Sequence, residues 1–478
     1  MRRYTYRVSL EADIYKRLPI PLQNLAISLK GFVFEKKLSN PERIRFYTNQ
    51  LLESEKWSKE QFEAYQQEQL LKLLQHCFKN IPYYKNRASE FGIDPQNIKV
   101  EDFYKIPILT KEEVRTHQDE LVDPSVPKDS LVKTSTSGST GKALTIYQTS
   151  DSVSHRFAFV SRLRTWAGLS SSIYPKRAQF TGRDIVPSNQ NPNVHNYWRA
   201  NKPNNALLFS TVHLREETVP HYLKALREFD PELIDGYPSA LQILARIGSK
   251  LGLQGPRPKA IIVSAETLTP EARQEMMDFY KCKVYDQYAG SEPSCLWMDC
   301  EHGNMHISPE YGISEVLRED GTPAGPGESG DIVLTSFINP VMPFLRYQIG
   351  DMAIVGPDEP CPCGRNMPRI ASIEGRKDDI LYIPEKGYVG RLDPVFKGLY
   401  GIVEAQIIQE SLQKLTILLV PGQDYEPSIE TKLIQQLREK VGEQVQIEYK
   451  IVEQVPRGPN GKFRSVITRC RDQYPTKL

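Results

Sequence analysis

From residue 232 the chain reads ELIDGYPSALQILARIGSK, then AIIVSAE from 260, PEARQEMMDFYK from 270 and KVYDQYAGSE from 283. Short apolar runs at 232–235, 260–263 and 283–286 alternate with longer stretches of helical character at 239–250 and 270–281. Strand, helix, strand, helix, strand at this spacing predicts a parallel sheet, because parallel neighbours need a crossover long enough to hold a helix. In such sheets ligands bind beyond the carboxyl ends of the strands. That rule gathers Tyr237, Glu266 and the 288–292 loop around one crevice.

Upstream, Ser58 with Gln61 three residues on has the form of a helix capping box, and Trp57 and Phe62 stand at the ends of a hydrophobic staple. Phe62, Tyr65, Leu70, Leu73, Leu74 and Cys77 then recur at helical spacing up to about Asn80, before Pro82. Residues 1–57 read as an irregular, partly helical lead-in. Leu22, Leu25, Leu29 and Phe32 recur at spacings of three and four, but Pro19, Pro21 and Gly31 should keep any such helix short. The segment 174–184, YPKRAQFTGRD, is read as an amphipathic loop edge, with an anion pocket as the alternative. Downstream of 330 come strands at 331–337 and 353–355, then near 404–409, 415–420 and 445–452, with a helix at 428–441. The expected fold class is α/β: a large N-terminal domain with parallel-sheet layers over 58–375, and a small mobile α+β C-terminal domain over 376–478.

At 478 residues the chain has room for two or three domains at roughly 100–200 residues each. Lys and Arg number 61 against 59 Asp and Glu, a formal charge of +2, which offers nothing to nucleic acid. The most apolar N-terminal window, 18–34, is broken by Pro19, Pro21, Gln23, Asn24, Lys30 and Gly31, so no membrane span is expected. MRRYTYRVSLEADIYKR lacks the pattern of a secretory signal, and a cytoplasmic location is expected. Oligomeric state is not readable.

The segment KTSTSGSTGK (133–142) packs hydroxyls, two glycines and a terminal lysine into ten residues, a composition able to wrap a polyphosphate with backbone and side-chain donors. It departs from the nucleotide loop GxxxxGK[ST], because Gly138 lies three residues before Gly141 and Ala143 follows the lysine. TSTSGSTGK resembles instead the phosphate-binding loop of the adenylate-forming superfamily, the acyl-CoA synthetases, aryl-acid ligases and peptide-synthetase adenylation domains. YAGSE (288–292) resembles its adenine and magnesium motif, RYQIGD (346–351) its ribose motif, GRKDD (375–379) its interdomain hinge and PNGK (459–462) the loop with the catalytic lysine. NIPYYK (80–85) and IPILTK (106–111) are similar to the phenylacetate-CoA ligase and capsular-polysaccharide-biosynthesis branch. The resemblance covers roughly residue 62 to the end.

That resemblance implies activation of an organic acid, aryl or related, by ATP to an acyl-adenylate with release of pyrophosphate, followed by transfer to CoA. It implies Ser137, Gly138, Ser139, Thr140, Gly141 and Lys142 around the phosphates, Tyr288 on adenine, Asp351 on the ribose and Arg376 beside the nucleotide. Glu292 would hold Mg²⁺, Lys462 would bridge acyl and phosphate oxygens, and Asp378 would sit at the hinge. Ala289 stands where the family mostly has Gly, and ILYIPEKG (380–387) replaces its glycine-rich continuation, which weakens the expectation for the second half-reaction. The alternatives are a ligase that passes the acyl group to an amine or sugar in polysaccharide biosynthesis, and a non-catalytic nucleotide-binding protein.

Seven cysteines without an export signal point to reduced thiols or metal ligands. Cys361 and Cys363 form a tight knuckle, and Cys300 with His306 lies upstream, together a Cys3His set for one structural Zn²⁺. His302 and Cys295 compete as ligands. His306 is preferred because Met305, His306 and Ile307 read as the start of a strand.

Overall fold

The structure is a computed structural model and describes residues 10–38, 40–135, 144–169, 173–181, 185–187, 190–191, 193–211, 213–214, 217–265, 268, 270–290, 292–375, 381–389, 392, 395, 399, 402–421, 425–453, 455, 466–470 and 473. The chain divides into two units. The larger holds Met1–Thr134, Tyr147–Ile349 and Ala353–Ile373, and the smaller holds Ser135–Ile146, Gly350–Met352 and Glu374–Leu478.

The lead-in is more regular than its prolines suggest. It forms helices α1 (Leu10–Arg17), α2 (Ile20–Leu38) and α3 (Pro41–Ser54). Pro21 does not shorten α2, because it lies in the first turn, where its missing N–H has no partner to lose. Gly31 does not break it either: a Cβ there would run into the Asn201 side chain, so the glycine admits a close approach. Next, α4 (Lys59–Asn80) starts at the expected box, with Ser58 accepting from the Gln61 amide and the Gln61 side chain accepting from the Ser58 N–H at 2.9 Å. Trp57 packs on Phe62 with ring centres 5.5 Å apart. The short helices α5 (Pro82–Lys85) and α6 (Lys111–Thr116) follow, the second opened by a Thr110 and Glu113 capping box.

After the pair β1 (Val132–Ser135) and β2 (Thr145–Gln148) comes α7 (Ser150–Trp166). The segment read as a loop edge at 174–184 contains β3 (Arg177–Thr181); Ala178 and Phe180 are buried, and their alternation with polar neighbours is that of a strand. β4 (Trp198–Asn201), β5 (Ala206–Ser210) and α8 (Val219–Phe229) lead to the decisive alternation of β6 (Leu233–Gly236), α9 (Pro238–Lys250), β7 (Ala260–Ser264), α10 (Pro270–Tyr280) and β8 (Lys283–Ala289). β9 (Leu296–Asp299), β10 (Met305–His306), β11 (Gly312–Leu317), β12 (Ser329–Ser336), β13 (Tyr347–Val355) and β14 (Arg369–Gly375) complete it.

Among the described residues twelve of these strands form one sheet in the order β11-β12-β13-β14-β10-β9-β8-β7-β6-β3-β5-β4. Its middle, β5, β3, β6, β7 and β8, is parallel, as the alternation predicts for β6 to β8, and β4 and β9 flank it antiparallel. Both faces of the middle are covered, which explains the continuous apolar runs. Ile234, Ile261 and Val263 pack with Leu226 of α8, Leu241 and Leu244 of α9 and Met276 of α10. Leu233, Ala260 and Ile262 pack on the other side with Phe159 and Leu163 of α7.

The smaller unit carries the hairpin β15 (Leu381–Ile383) and β16 (Gly387–Val389), then β17 (Ile402–Ser411), β18 (Lys414–Pro421), α11 (Ser428–Val441), β19 (Gln446–Ile451) and β20 (Val466–Thr468). Four strands pair as β19-β18-β17-β20, and α11 makes the crossover between parallel β18 and β19. Leu433, Leu437 and Val441 of α11 close a core with Leu415, Ile417 and Leu419.

Candidate active site and metal centre

β8 ends in the loop that the sequence singles out. Tyr288 is half-buried and packs on Trp297 of β9, ring centres 4.9 Å apart, so its ring is steered by the strand pairing Tyr288 with Trp297. Gly290 is the tight point: a Cβ there would lie 2.8 Å from Ile349 Cδ1 and 3.0 Å from the Glu292 carbonyl oxygen. Arg156 of α7 donates to the Gly290 carbonyl at 3.1 Å.

Glu292 is 4% exposed. Its Oε1 accepts the Tyr347 hydroxyl at 3.0 Å, and Lys111 Nζ lies 3.6 Å from the same oxygen. A buried carboxylate is costly unless paired and hydrogen-bonded, and here it has both a cation and a donor. The three side chains meet because the chain before α6 runs beside the start of β13. The Leu109 N–H donates to Arg346 O at 2.9 Å and the Gln348 N–H donates to Leu109 O at 3.0 Å. Arg346, with φ of 50°, is itself held by both oxygens of Glu315 at 3.0 and 3.2 Å.

Asp351 lies half-buried on β13. Tyr237 and Ser264 stand where β6 and β7 end. Ser137, Gly138, Ser139, Thr140, Gly141, Lys142, Glu266, Arg376, Asp378 and Lys462 lie outside the described residues. Sequence reasoning did not single out Tyr347, Lys111 or Arg156. The signal for the first two was present, since both fall inside quoted motifs, RYQIGD and IPILTK.

A second site forms at the other side of β9. Cys300, His306, Cys361 and Cys363 bring one ligand atom each to within 4.8 Å of one another. Cys300 Sγ and Cys361 Sγ are 3.8 Å apart, and Cys363 Sγ is 3.4 Å from His306 Nε2. Tetrahedral zinc with Zn–S of about 2.3 Å and Zn–N of about 2.0–2.1 Å requires S···S near 3.8 Å and S···N near 3.6 Å. These two separations are close to the edges of that tetrahedron, and all four ligand atoms lie within 4.8 Å of one another. His306 sits on β10 and its Nδ1 lies 3.1 Å from Met367 O, a hydrogen bond that leaves Nε2 as the lone-pair nitrogen facing Cys363. The two turns bend at Gly303 and Gly364, with φ of 77° and 78°. Neither His302 nor Cys295 joins the cluster.

Burial pushes the Cys300 thiol up to about 12 and drives His306 down to about 4. Burial also raises Cys361, but hydrogen bonds from the Cys363 amide and its other neighbours outweigh it and bring that thiol below its ordinary value. Three thiols and a neutral imidazole are the donor set of a structural zinc rather than of magnesium or calcium.

Comparison with known proteins agrees with this architecture. Residues 381–469 match the model of the CapK C-terminal domain. Protein CapK of Staphylococcus aureus is 28% identical over 466 residues, which is 96% of this chain and 99% of that protein. The chain is similar to the phenylacetate-CoA ligase and CapK branch of the adenylate-forming superfamily. The phenylacetate-coenzyme A ligase of Thermus thermophilus is 27% identical over 346 residues, 69% of this chain and 74% of that enzyme. Among solved structures, 2-hydroxyisobutyryl-CoA ligase with 2-HIB-AMP and CoA in its thioesterification state has a TM-score of 0.58 at 19% identity, covering 87% of this chain and 92% of that one. The same ligase in its postadenylation state gives 0.54 at 18%, with 88% and 92% covered. At these identities the structural likeness carries the fold. No described helix is long and apolar enough to cross a membrane.

Proposed function

We propose that this protein is an AMP-forming acid ligase. A carboxylate oxygen of an organic acid attacks the α-phosphorus of ATP, the bond to pyrophosphate breaks, and the acyl-adenylate so formed passes its acyl group to the thiol of CoA. The observation that carries the proposal is the buried Glu292 carboxylate at the end of β8, oriented by the Tyr347 hydroxyl and Lys111. The loop rule for parallel sheets puts ligand chemistry at that end of the strand.

On this reading Mg²⁺ at Glu292 supplies charge neutralisation for the phosphates. Tyr288 offers its ring to adenine, Asp351 accepts from the ribose hydroxyls, and Ser137 to Lys142 with Arg376 surround the phosphates. Lys462 would stabilise charge that develops on the transferring oxygens. The Cys300, His306, Cys361 and Cys363 set holds one structural Zn²⁺, which ties the turn at 300–304 to the turn at 361–364.

The test is acid-dependent exchange of pyrophosphate into ATP over a panel of aryl, fatty, amino and sugar acids, followed by addition of CoA. Exchange with at least one acid supports adenylation; no exchange with any acid in the presence of Mg²⁺ rejects it. The resemblance of NIPYYK (80–85) and IPILTK (106–111) to the capsular-polysaccharide-biosynthesis branch favours a second reading of the acceptor, an amine or a sugar in polysaccharide assembly. Exchange that is unaffected by CoA, with AMP release stimulated by an amine or amino sugar, would select that one.

A further inference from the structure

Helix α2 has two unlike faces, and its inner one closes the edge of the large sheet. Asn24 Oδ1 accepts the Ala200 N–H at 2.8 Å, Ser28 Oγ donates to Ala200 O at 3.3 Å and accepts the Lys202 N–H at 3.2 Å, and Gln23 Oε1 accepts from the buried Arg199 guanidinium at 2.5 Å. Ile27 packs beside Ile185, Val186 and Leu208. The polar side chains of α2 thus occupy backbone groups that edge strand β4 would otherwise present to another chain.

The outer face carries Leu22, Leu25, Leu29, Phe32 and Val33, exposed by 47%, 53%, 55%, 44% and 41%. At 3.6 residues per turn these positions fall within an arc of about 100°, opposite Gln23, Ile27 and Gly31. Ile14 of α1 is 58% exposed. Lys16, Arg17 and Lys30 are exposed nearby, and Lys36 and Lys37 follow in the sequence. Residues 1–45 contain ten Lys and Arg against four Asp and Glu, an excess of six positive charges in a chain whose total is +2. The rest of the molecule is accordingly net negative.

We infer that α2 is an interfacial helix, which seats the protein on an anionic lipid surface with the Leu22 to Val33 stripe in the headgroup boundary and the flanking cations over the headgroups. With its inner face already occupied by β4, an exposed aliphatic stripe with one aromatic in a segment of net positive charge supplies both the apolar and the electrostatic contributions to binding an anionic membrane. A second copy of the chain fits less well: five half-exposed side chains offer a few hundred Å², short of the ~800 Å² per partner of a stable interface. Two exposed basic faces would also meet. The inference does not depend on the ligase reading.

The test is flotation of the full-length protein with vesicles of phosphatidylcholine mixed with phosphatidylglycerol, and with phosphatidylcholine alone. The protein should float with the anionic vesicles, several-fold less with the neutral ones, and less as salt is raised. Leu25→Glu with Leu29→Glu should reduce the bound fraction at least tenfold while its unfolding midpoint stays at the wild-type value, since both side chains point outward. Lys16→Glu with Lys30→Glu should weaken binding to anionic vesicles alone, which keeps the inference testable if the first variant fails to fold. No flotation, flotation indifferent to lipid charge, or a wild-type dimer that the Leu25 and Leu29 substitutions dissociate would each overturn it.

Discussion

Tyr347→Phe tests the proposed metal-binding carboxylate with little disturbance to the fold. Tyr347 is fully buried, and its ring packs on Phe344 with centres 5.0 Å apart, a contact that phenylalanine preserves. What the change removes at Glu292 is the hydroxyl donating to Oε1 at 3.0 Å. Hydrogen bonds to charged groups are worth about 1.5–3 kcal/mol, which expressed wholly on the transition state is about tenfold to 150-fold in rate. Lys111 still faces the same oxygen, so the lower end is expected: a loss of about tenfold in exchange at saturating Mg²⁺, with the KM of the acid unmoved. Lys111→Met acts in the opposite sense on the metal. It removes a cation 3.6 Å from the carboxylate oxygen, an interaction on the order of 1 kcal/mol at water-like screening, and Mg²⁺ should then half-saturate at a roughly fivefold lower concentration. The assay is pyrophosphate exchange titrated with Mg²⁺ for wild type and both variants. Wild-type rates and wild-type Mg²⁺ half-saturation in both would show that this cluster supports the fold alone, and would remove Glu292 from the proposed site.

Three further outcomes are expected. Elemental analysis of untagged protein should find close to one zinc per chain, and Cys361→Ser should lose it together with several degrees of melting temperature; seven freely titratable thiols in metal-free wild type would reject the site. Lys462→Ala should slow adenylation by about a hundredfold to ten-thousandfold and spare thioester formation from pre-made acyl-adenylate; unchanged exchange would remove that lysine from the mechanism. Burial and the neighbouring Asp299 raise Asp286 from 3.8 to about 7, so the stability this group contributes is complete below pH 3.8 and is lost as pH rises through about 7, by up to about 4 kcal/mol. Asp286→Asn keeps an acceptor for the Gln287 N–H and should flatten the fall in melting temperature over that window; parallel profiles for variant and wild type would refute the assignment.

Strands β6 to β8 of the parallel layer were legible because β6 and β7 are buried along almost their whole length and their crossovers are one-faced helices, so composition and period carry the information together; β3, which alternates buried and half-buried residues, reads as a loop edge instead. The start of α4 was legible for a still more local reason, two side chains three residues apart that satisfy each other's backbone. α2 was misjudged where proline and glycine were counted as breakers without regard to position. Pro21 is harmless in a first turn, and Gly31 is required by an Asn201 that lies far along the chain. The two sites divide along the same line. The four side chains of the cluster stand out in the sequence because soft donors in close sequence pairs have few other uses, and Met305 and His306 do open a strand. Lys111 and Tyr347 carry no such mark. A lysine after a threonine and a tyrosine after an arginine acquire a role only when Leu109 pairs with β13 and sets both against Glu292. That pairing is encoded in the burial of Leu109 and Tyr347, not in the motifs themselves, so sequence could name the segments and only the fold could choose the side chains within them.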